Sequence, residues 1–209
     1  MMRIDILTLF PEMFPGVFGS SILKRAVEKQ YLELHVHDIR TYTYDKHHRA
    51  DDYPFGGGAG MVMMVEPIAR CIEQLQSERD YDGIFLMAPD GVTFNQQKAN
   101  ELSMLHNIIL LCGHYKGVDE RVRELYVTGD LSIGDYVLSG GELAAMVITD
   151  AIARDLFECS RLGARIWDLR HDGVPVQDEF EYKFDNNGKV VKKWKKYWIA
   201  RSATRRASS

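Results

Sequence analysis

LSIGDYVLSGGELAAM, residues 131–146, contains a predicted strand-to-helix transition and a pair of adjacent glycines, and the predicted architecture depends on both. Its pattern predicts a short strand at residues 135–138, a break at Ser139-Gly140-Gly141, and a helix that opens with Glu142. Two adjacent glycines between a strand and a helix let the backbone approach a ligand and leave the first helical amides pointing at it. A flat or anionic small molecule would fit such a turn. The alternative is an ordinary strand-to-helix turn without a ligand.

Two further apolar runs end in glycine-bearing turns. Residues 108–112 (IILLC) stop at Gly113, and residues 83–87 are followed by Ala88-Pro89-Asp90-Gly91. Open α/β sheets bind ligands at the edge where the carboxyl ends of their parallel strands meet. We therefore expect three loops to converge on one site.

The remaining apolar patterns predict strands that alternate with helices, which is typical of a parallel α/β sheet. Strands are predicted at residues 3–10, 32–38, 82–87 and 107–112, with a short extended piece at 126–128. Helices are predicted at residues 20–30, 67–75, 94–105, 118–125 and 142–157.

Residues 38–60 form a long segment that is rich in charge and glycine. Loops of this length in a compact domain are usually functional or disordered. Asp51, Asp52 and the glycines up to Gly58 therefore indicate either a mobile lid or a solvated excursion.

Composition indicates an ordinary soluble protein of one large or two small domains, since 45% of its 209 residues are hydrophobic and 27% are charged. The three cysteines, Cys71, Cys112 and Cys159, are far apart and show no disulfide or zinc spacing. No secretory signal or membrane-length apolar run is visible. We expect a cytoplasmic protein.

The end of the chain is basic, although the formal net charge is -4. No acidic residue follows Asp185, whereas eight lysines and arginines do. Residues 162–169 have helical spacing, and Asn187-Gly188 predicts a hairpin with a lysine-rich second strand. A helix that carries arginines, followed by a basic hairpin, resembles the winged helix-turn-helix domains of phage proteins; a solvated appendage is the alternative. The predicted nucleic-acid contacts are Arg161, Arg165, Lys192, Lys193, Lys195 and Lys196.

Several motifs together resemble one enzyme family. They are RIDILTLFPEMF from Arg3, DDYPFGGGAGMVM from Asp51, APDG from Ala88, CGHYKGVDERV from Cys112 and SIGDYVLSGGELAAM from Ser132. Their order and spacing resemble the bacterial tRNA (guanine-37 N1)-methyltransferases, a branch of the SPOUT methyltransferases, over residues 1–154. The resemblance implies a parallel α/β domain with a deep trefoil knot. The predicted domains are a knotted domain at 1–155, a small α+β winged-helix-like domain at 156–200 and a disordered tail at 201–209.

The resemblance also implies a homodimer that binds S-adenosyl-L-methionine and tRNA with guanine at position 37. The implied cofactor-binding residues are Pro89, Gly113, Ile133, Gly134, Asp135, Tyr136, Val137, Leu138, Gly140 and Gly141. The implied substrate-binding residues are Asp51, Asp52, Gly58, His114 and Lys116. His114 and Lys116 stand where many family members have Arg and Glu.

The implied catalytic machinery is incomplete. Arg154 matches the family's catalytic arginine, but the Asp-Ser-Phe linker that carries the family's general base has no match. Asp155, Asp168 and Asp172 lie outside that motif, so the base is unassigned. Two hypotheses follow. The first is a tRNA guanine-N1 methyltransferase, weakened or inactive without its usual base. The second is a winged-helix nucleic-acid-binding protein with a dimerising, adenosylmethionine-binding knotted domain. A natural fusion, a chimera and a rearranged gene are equally compatible origins.

Overall fold

The computed structural model describes residues 1–54, 57, 60–171, 176–184 and 190–199, and beyond Phe157 it describes only the side chains of Gln177 and Lys196. The chain divides into two compact units, Met1–Phe157 and Glu158–Ser209.

The first unit is built on a five-stranded sheet in which every neighbouring pair is parallel. Its strands are β1 (Met2–Thr8), β2 (Leu32–Asp38), β5 (Gly83–Thr93), β6 (Asn107–Cys112) and β7 (Gly129–Ser132), in the order β2-β1-β6-β5-β7. The short strands β3 (Asp51–Asp52) and β4 (Val62–Met63) pair antiparallel beside this sheet. The predicted parallel α/β class is confirmed.

Helices cover both faces of the sheet. They are α1 (Pro15–Phe18), α2 (Ser21–Glu28), α3 (Val65–Glu78), α4 (Gln96–Leu102), α5 (Glu120–Tyr126) and α6 (Glu142–His171). Helices α2, α4 and α6 supply Leu23, Leu102 and Ile148 to one apolar core, whereas α3 and α5 supply Ile72 and Val122 to the other. Alternate side chains of each buried strand enter the two cores, which explains why β1 and β6 are apolar almost throughout.

A buried polar cluster lies on the face of the sheet that α3 and α5 cover. The carboxylate of Asp5, which is fully buried, accepts hydrogen bonds from Arg3, His37 and Tyr81. Burial raises the pKa of this carboxyl, but the bonds from His37, Arg3 and Tyr81 outweigh burial and hold the pKa well below its usual range. Four polar groups from three segments therefore satisfy one another inside the core.

The predicted elements differ from the structure in several places. Strands β2 and β6 have the predicted bounds, but α1 was missed and α4 is shorter than predicted. The strand predicted at residues 135–138 is wrong, since the last strand of the sheet is β7 and residues 133–139 after it are irregular. Tyr136 and Val137 are 54% and 82% exposed, so these apolar side chains contribute to no sheet core.

Helix α6 continues to His171 instead of ending near Phe157, and its later part includes the predicted helical stretch at 162–169. In the second unit, β8 (Val176–Phe184) and β9 (Val190–Ile199) pair antiparallel, which confirms the predicted hairpin. Asn187-Gly188, Asp172 and the predicted tail at 201–209 lie outside the described residues. Along the described chain, no helix is long and apolar enough to cross a membrane, and no group of side chains could hold a metal ion.

Candidate active site

Three glycine-bearing segments meet at the carboxyl edge of the sheet, as the sequence predicts, although only Gly113 directly follows a predicted strand end, since β5 continues past Gly91 to Thr93. They follow Met87 within β5, Cys112 at the end of β6 and Ser132 at the end of β7, and together they line a cavity of about 450 Å³. Pockets for small molecules usually span roughly 300–1,000 Å³. The cavity is therefore large enough for a small ligand.

Most residues predicted to bind a small molecule line this cavity. They are Pro89, Gly113, Ile133, Gly134, Tyr136, Val137, Leu138, Gly140 and Gly141, joined by the predicted substrate residues His114 and Lys116. Asp135 is exposed and is not part of the lining. Asp51 and Asp52 lie in β3, also away from the lining, and Gly58 lies outside the described residues.

Gly141 and Gly91 lie so close to neighbouring backbone that a side chain at either position would collide with it. A Cβ on Gly141 would lie 2.8 Å from Met87 Cβ, 2.9 Å from Cys112 Cα and 3.0 Å from Gly113 N. A Cβ on Gly91 would lie 2.6 Å from the backbone of Asp130 and Leu131. The Gly141 N–H donates to the Gly113 carbonyl at 2.8 Å. These contacts let the irregular part of β5 approach β7, and they let the turn before α6 approach β5 and the end of β6.

The loop after β7 forms part of the cavity wall. The Ser132 hydroxyl donates to the Gly134 carbonyl at 3.0 Å, and Gly134 has φ +156°. A residue other than glycine at position 134 would also bring its Cβ within 2.5 Å of the Tyr136 ring. The turn therefore ends β7 and directs the next residues around the cavity.

A buried acidic side chain lies behind the cavity wall. Glu142, the first residue of α6, is 2% exposed, and its Oε1 accepts a hydrogen bond of 2.8 Å from Thr8 Oγ1. Its Oε2 lies 3.9 Å from His114 Nδ1. The N-terminus of a helix favours negative charge, so the position of Glu142 suits a carboxylate. Sequence reasoning identified Glu142 only as a helix start and missed both partners.

An arginine that the sequence analysis did not single out also lines the cavity. Arg123 donates two hydrogen bonds to Asp90, at 3.0 and 3.2 Å, and lies 3.8 Å from Asp130. The bond from Arg123 lowers the pKa of Asp90, whereas burial raises the pKa of Asp130. The α5 pattern predicted only a charged helix, since nothing local shows which charge faces the β5 loop.

The segment before α3 contacts the loop after β6 through backbone hydrogen bonds. Lys116 N donates to Met61 O, Met63 N donates to Gly117 O, and Asp119 N donates to Met63 O. The aliphatic part of Lys116 also covers Gly60. The end of the glycine-rich segment thus lies beside the cavity, next to Lys116.

Arg154 and Asp155 lie on α6 away from the cavity lining. Arg154 is exposed, and at about 1.5 Å per residue it lies roughly 18 Å along the helix axis from Glu142. The Asp155 carboxylate accepts from Gln96 at 3.0 Å. The structure therefore does not bring Arg154 or Asp155 to the cavity within one chain. The side chain of Asp168 lies outside the described residues.

Comparison with known proteins accounts for this combination of loops. The sequence profile of the family described as tRNA (Guanine-1)-methyltransferase TrmD matches residues 2–159. The chain belongs to the TrmD family. It is accordingly a tRNA (guanine-N1)-methyltransferase, the first of the two sequence-based hypotheses.

Individual TrmD relatives agree with the profile. A tRNA (guanine-N(1)-)-methyltransferase of Cytophaga hutchinsonii is 50% identical over 210 residues, covering 93% of this chain and 88% of the relative. One from Bacteroides thetaiotaomicron is 60% identical over 153 residues, covering 73% and 68%. The first of these alignments extends past residue 159, so the likeness to TrmD proteins is wider than the predicted 1–154.

A solved structure carries the same fold. The tRNA (m1G37) methyltransferase of Aquifex aeolicus superposes with a TM-score of 0.68 and 35% identity, over 73% of this chain and 69% of that one. The predicted SPOUT-type α/β architecture of the TrmD family is thus supported by structure as well as by sequence.

Proposed function

We propose that this enzyme transfers the methyl group of S-adenosylmethionine to N1 of guanine 37 in tRNA. The observation that carries the proposal is the cavity at the carboxyl edge of the sheet, bounded by three loops that approach one another closely. The TrmD membership and the name of the Aquifex aeolicus protein support the same substrate position. Since tRNA is the substrate, the enzyme works in the cytoplasm.

The residues of the cavity fit the methyl donor. Its walls include Pro89, Gly113 and the loop that ends at Leu138, whose backbone carbonyls, and amides other than that of Pro89, would bind an adenine and a ribose. Gly140 and Gly141 add the close approach that a planar base requires. When bound, S-adenosylmethionine supplies an electrophilic methyl group on a sulfonium. The chain's part is to orient the two reactants and exclude water.

The acceptor sets a second requirement. Guanine N1 carries a proton at neutral pH and is a poor nucleophile until that proton is removed. A positioned base typically accelerates such a reaction by about 10²–10⁴-fold. The family's usual base has no motif match in this chain, so another residue at the cavity must accept the proton or the rate must fall by about that factor.

We propose further that the active enzyme is a homodimer with the knotted topology of its family. Leu143 and Val147 on α6 are 46% and 49% exposed, and Val137 beside the cavity is 82% exposed. Two-fold dimers are the commonest oligomers, and burial of these apolar side chains would favour one. Because Arg154 lies far from the cavity of its own chain, it would act at the cavity of a second copy.

The basic hairpin is proposed to contact the tRNA backbone. Strand β9 includes Lys192, Lys193, Lys195 and Lys196, and Lys196 is exposed. Lysines bind phosphate without regard to sequence, so they would strengthen tRNA binding without choosing the methylated base. The winged-helix assignment, with Arg161 and Arg165 on its helix, stays a prediction.

The experiment is methyl transfer from labelled S-adenosylmethionine to a tRNA transcript with guanine at position 37. We expect 1-methylguanosine in the nuclease digest, and none from a matched transcript with adenosine at that position. Calorimetry of the full chain with S-adenosylmethionine gives an independent measure of donor binding. Donor binding without any 1-methylguanosine would contradict the proposed activity.

A further inference from the structure

The geometry points to His114 as the general base that removes the N1 proton of guanine, with Glu142 and Thr8 as positioning residues behind it. This inference rests on the proposed function, because it names the proton acceptor for that reaction.

His114 occupies a wall of the cavity and is held there by its backbone. It follows Gly113 directly after β6, and its backbone bridges antiparallel to Gly140. The Phe10 and Tyr115 rings lie 4.7 and 5.0 Å from the imidazole, measured between centroids. These contacts restrict the ring to one side of the cavity.

The two ring nitrogens have different surroundings. Nδ1 is buried, has no hydrogen-bond partner among the described residues, and lies 3.9 Å from Glu142 Oε2. The side chain is nevertheless 21% exposed, and this exposure comes from atoms other than Nδ1, whereas Nε2 is not among the buried nitrogens that lack a partner in the described chain. A small rotation of the ring would bring Nδ1 within hydrogen-bond distance of Glu142 Oε2. Because Nδ1 faces Glu142, Nε2 is the ring nitrogen that a ligand in the cavity can reach.

Glu142 is itself oriented by a chain of donors. The Phe10 N–H donates to Thr8 Oγ1 at 2.9 Å, so the Thr8 hydroxyl hydrogen is available for Glu142 Oε1 at 2.8 Å. That bond leaves Oε2 free to accept from His114 Nδ1. A carboxylate behind a histidine fixes its tautomer and stabilises the imidazolium that forms when Nε2 takes a proton.

Gly140 permits this arrangement. A Cβ on Gly140 would lie 2.3 Å from Glu142 Oε2 and 2.4 Å from His114 Nδ1. Any side chain at position 140 would therefore separate the two groups. The same glycine turn that admits the methyl donor also allows the carboxylate to approach the imidazole.

Proton removal and methyl transfer balance at the guanine. The N1–H bond breaks as the proton moves to His114 Nε2, and the N1 electron pair forms a bond to the methyl carbon. The sulfur–methyl bond breaks and its electron pair stays on sulfur, which becomes an uncharged thioether. The imidazolium, stabilised by Glu142, then releases the proton to water.

The test compares His114→Ala with His106→Ala, an exposed histidine at the opposite, amino end of β6. In single-turnover transfer at saturating S-adenosylmethionine and tRNA, we expect His114→Ala to be slower by about 10²-fold or more. Added imidazole should restore part of the rate to His114→Ala only. Donor affinity by calorimetry should match wild type in both variants. A wild-type rate in His114→Ala would overturn the inference.

A spectroscopic readout that needs no reaction tests the positioning residues. In nitrogen-15 spectra of the full chain, His114 should be the Nδ1–H tautomer, and Glu142→Gln or Thr8→Val should shift the population toward Nε2–H. An unchanged tautomer in Glu142→Gln would remove Glu142 from the mechanism. If wild type itself makes no 1-methylguanosine, the proposed function fails; if wild type reacts and His114→Ala reacts equally fast, only this inference fails.

Discussion

Replacement of Gly141 by alanine tests whether close backbone contact brings the three cavity loops together. The added methyl would lie between 2.8 and 3.0 Å from Met87 Cβ, Cys112 Cα and Gly113 N. Cys112 Cα and Gly113 N are backbone atoms and Met87 Cβ is bonded directly to the backbone, so no side-chain rotation can make room. The turn after residue 138 must instead move away from β5 and β6.

The size of the destabilisation follows from the tightness of these contacts. An added methylene in a tightly packed site typically destabilises a protein by about 1–3 kcal/mol. Gly141 has no positive φ, so the whole effect arises from contact and not from backbone conformation. For chains of 150–250 residues, about 1 kcal/mol corresponds to roughly 2–4 °C, so Gly141→Ala should lower Tm by roughly 2–12 °C.

The assay is thermal unfolding followed by circular dichroism, with calorimetric titration of S-adenosylmethionine on the same samples. Gly16→Ala in α1 is the matched control, because a Cβ there meets nothing within 4 Å. Alanine at position 16 should leave Tm unchanged or raise it slightly, since glycine is the poorer helix former. Equal Tm values for Gly141→Ala and wild type would refute the close-contact argument.

Three further predictions concern charge. Asp5→Asn should destabilise the fold by about 3 kcal/mol or more at pH 7, since Arg3 loses a buried carboxylate. Because the folded pKa of Asp5 is lowered, its stabilisation is fully present above about pH 4 and is lost as the pH falls through the lowered folded pKa. The gap between the urea midpoints of wild type and variant should therefore be smaller at pH 3 than at pH 7, and an equal gap would contradict this. Arg154→Ala should slow single-turnover transfer without changing donor affinity, and equal rates would exclude a catalytic role. A fourfold lysine-to-glutamine variant should weaken tRNA binding. The slope of log binding constant against log salt concentration should fall in magnitude by up to about 0.7–0.9 for each phosphate that the lysines neutralise. An unchanged slope would show that they neutralise none. Its substitutions are at Lys192, Lys193, Lys195 and Lys196.

Local pattern was sufficient for elements whose surroundings are uniform. Strand β2 alternates and β6 is continuously apolar, and both have the predicted bounds. The residues at 135–138 have a strand-like pattern too, yet they form no strand, and Tyr136, Val137 and Leu138 line a cavity. An apolar side chain that faces a ligand site cannot be distinguished by composition from one that faces a core.

The sequence by itself determined the parallel α/β class and the convergence of three glycine-bearing segments at one edge, because strands that alternate with helices are typical of a parallel sheet and glycines mark its turns. Only the tertiary structure decided which polar groups meet there. Thr8 and Glu142 are separated by 134 residues and form a hydrogen bond. His114, from the loop after β6, and Arg123, from helix α5, line the same cavity. Such contacts depend on how strands and helices pack in three dimensions, and no periodicity along the chain encodes that arrangement.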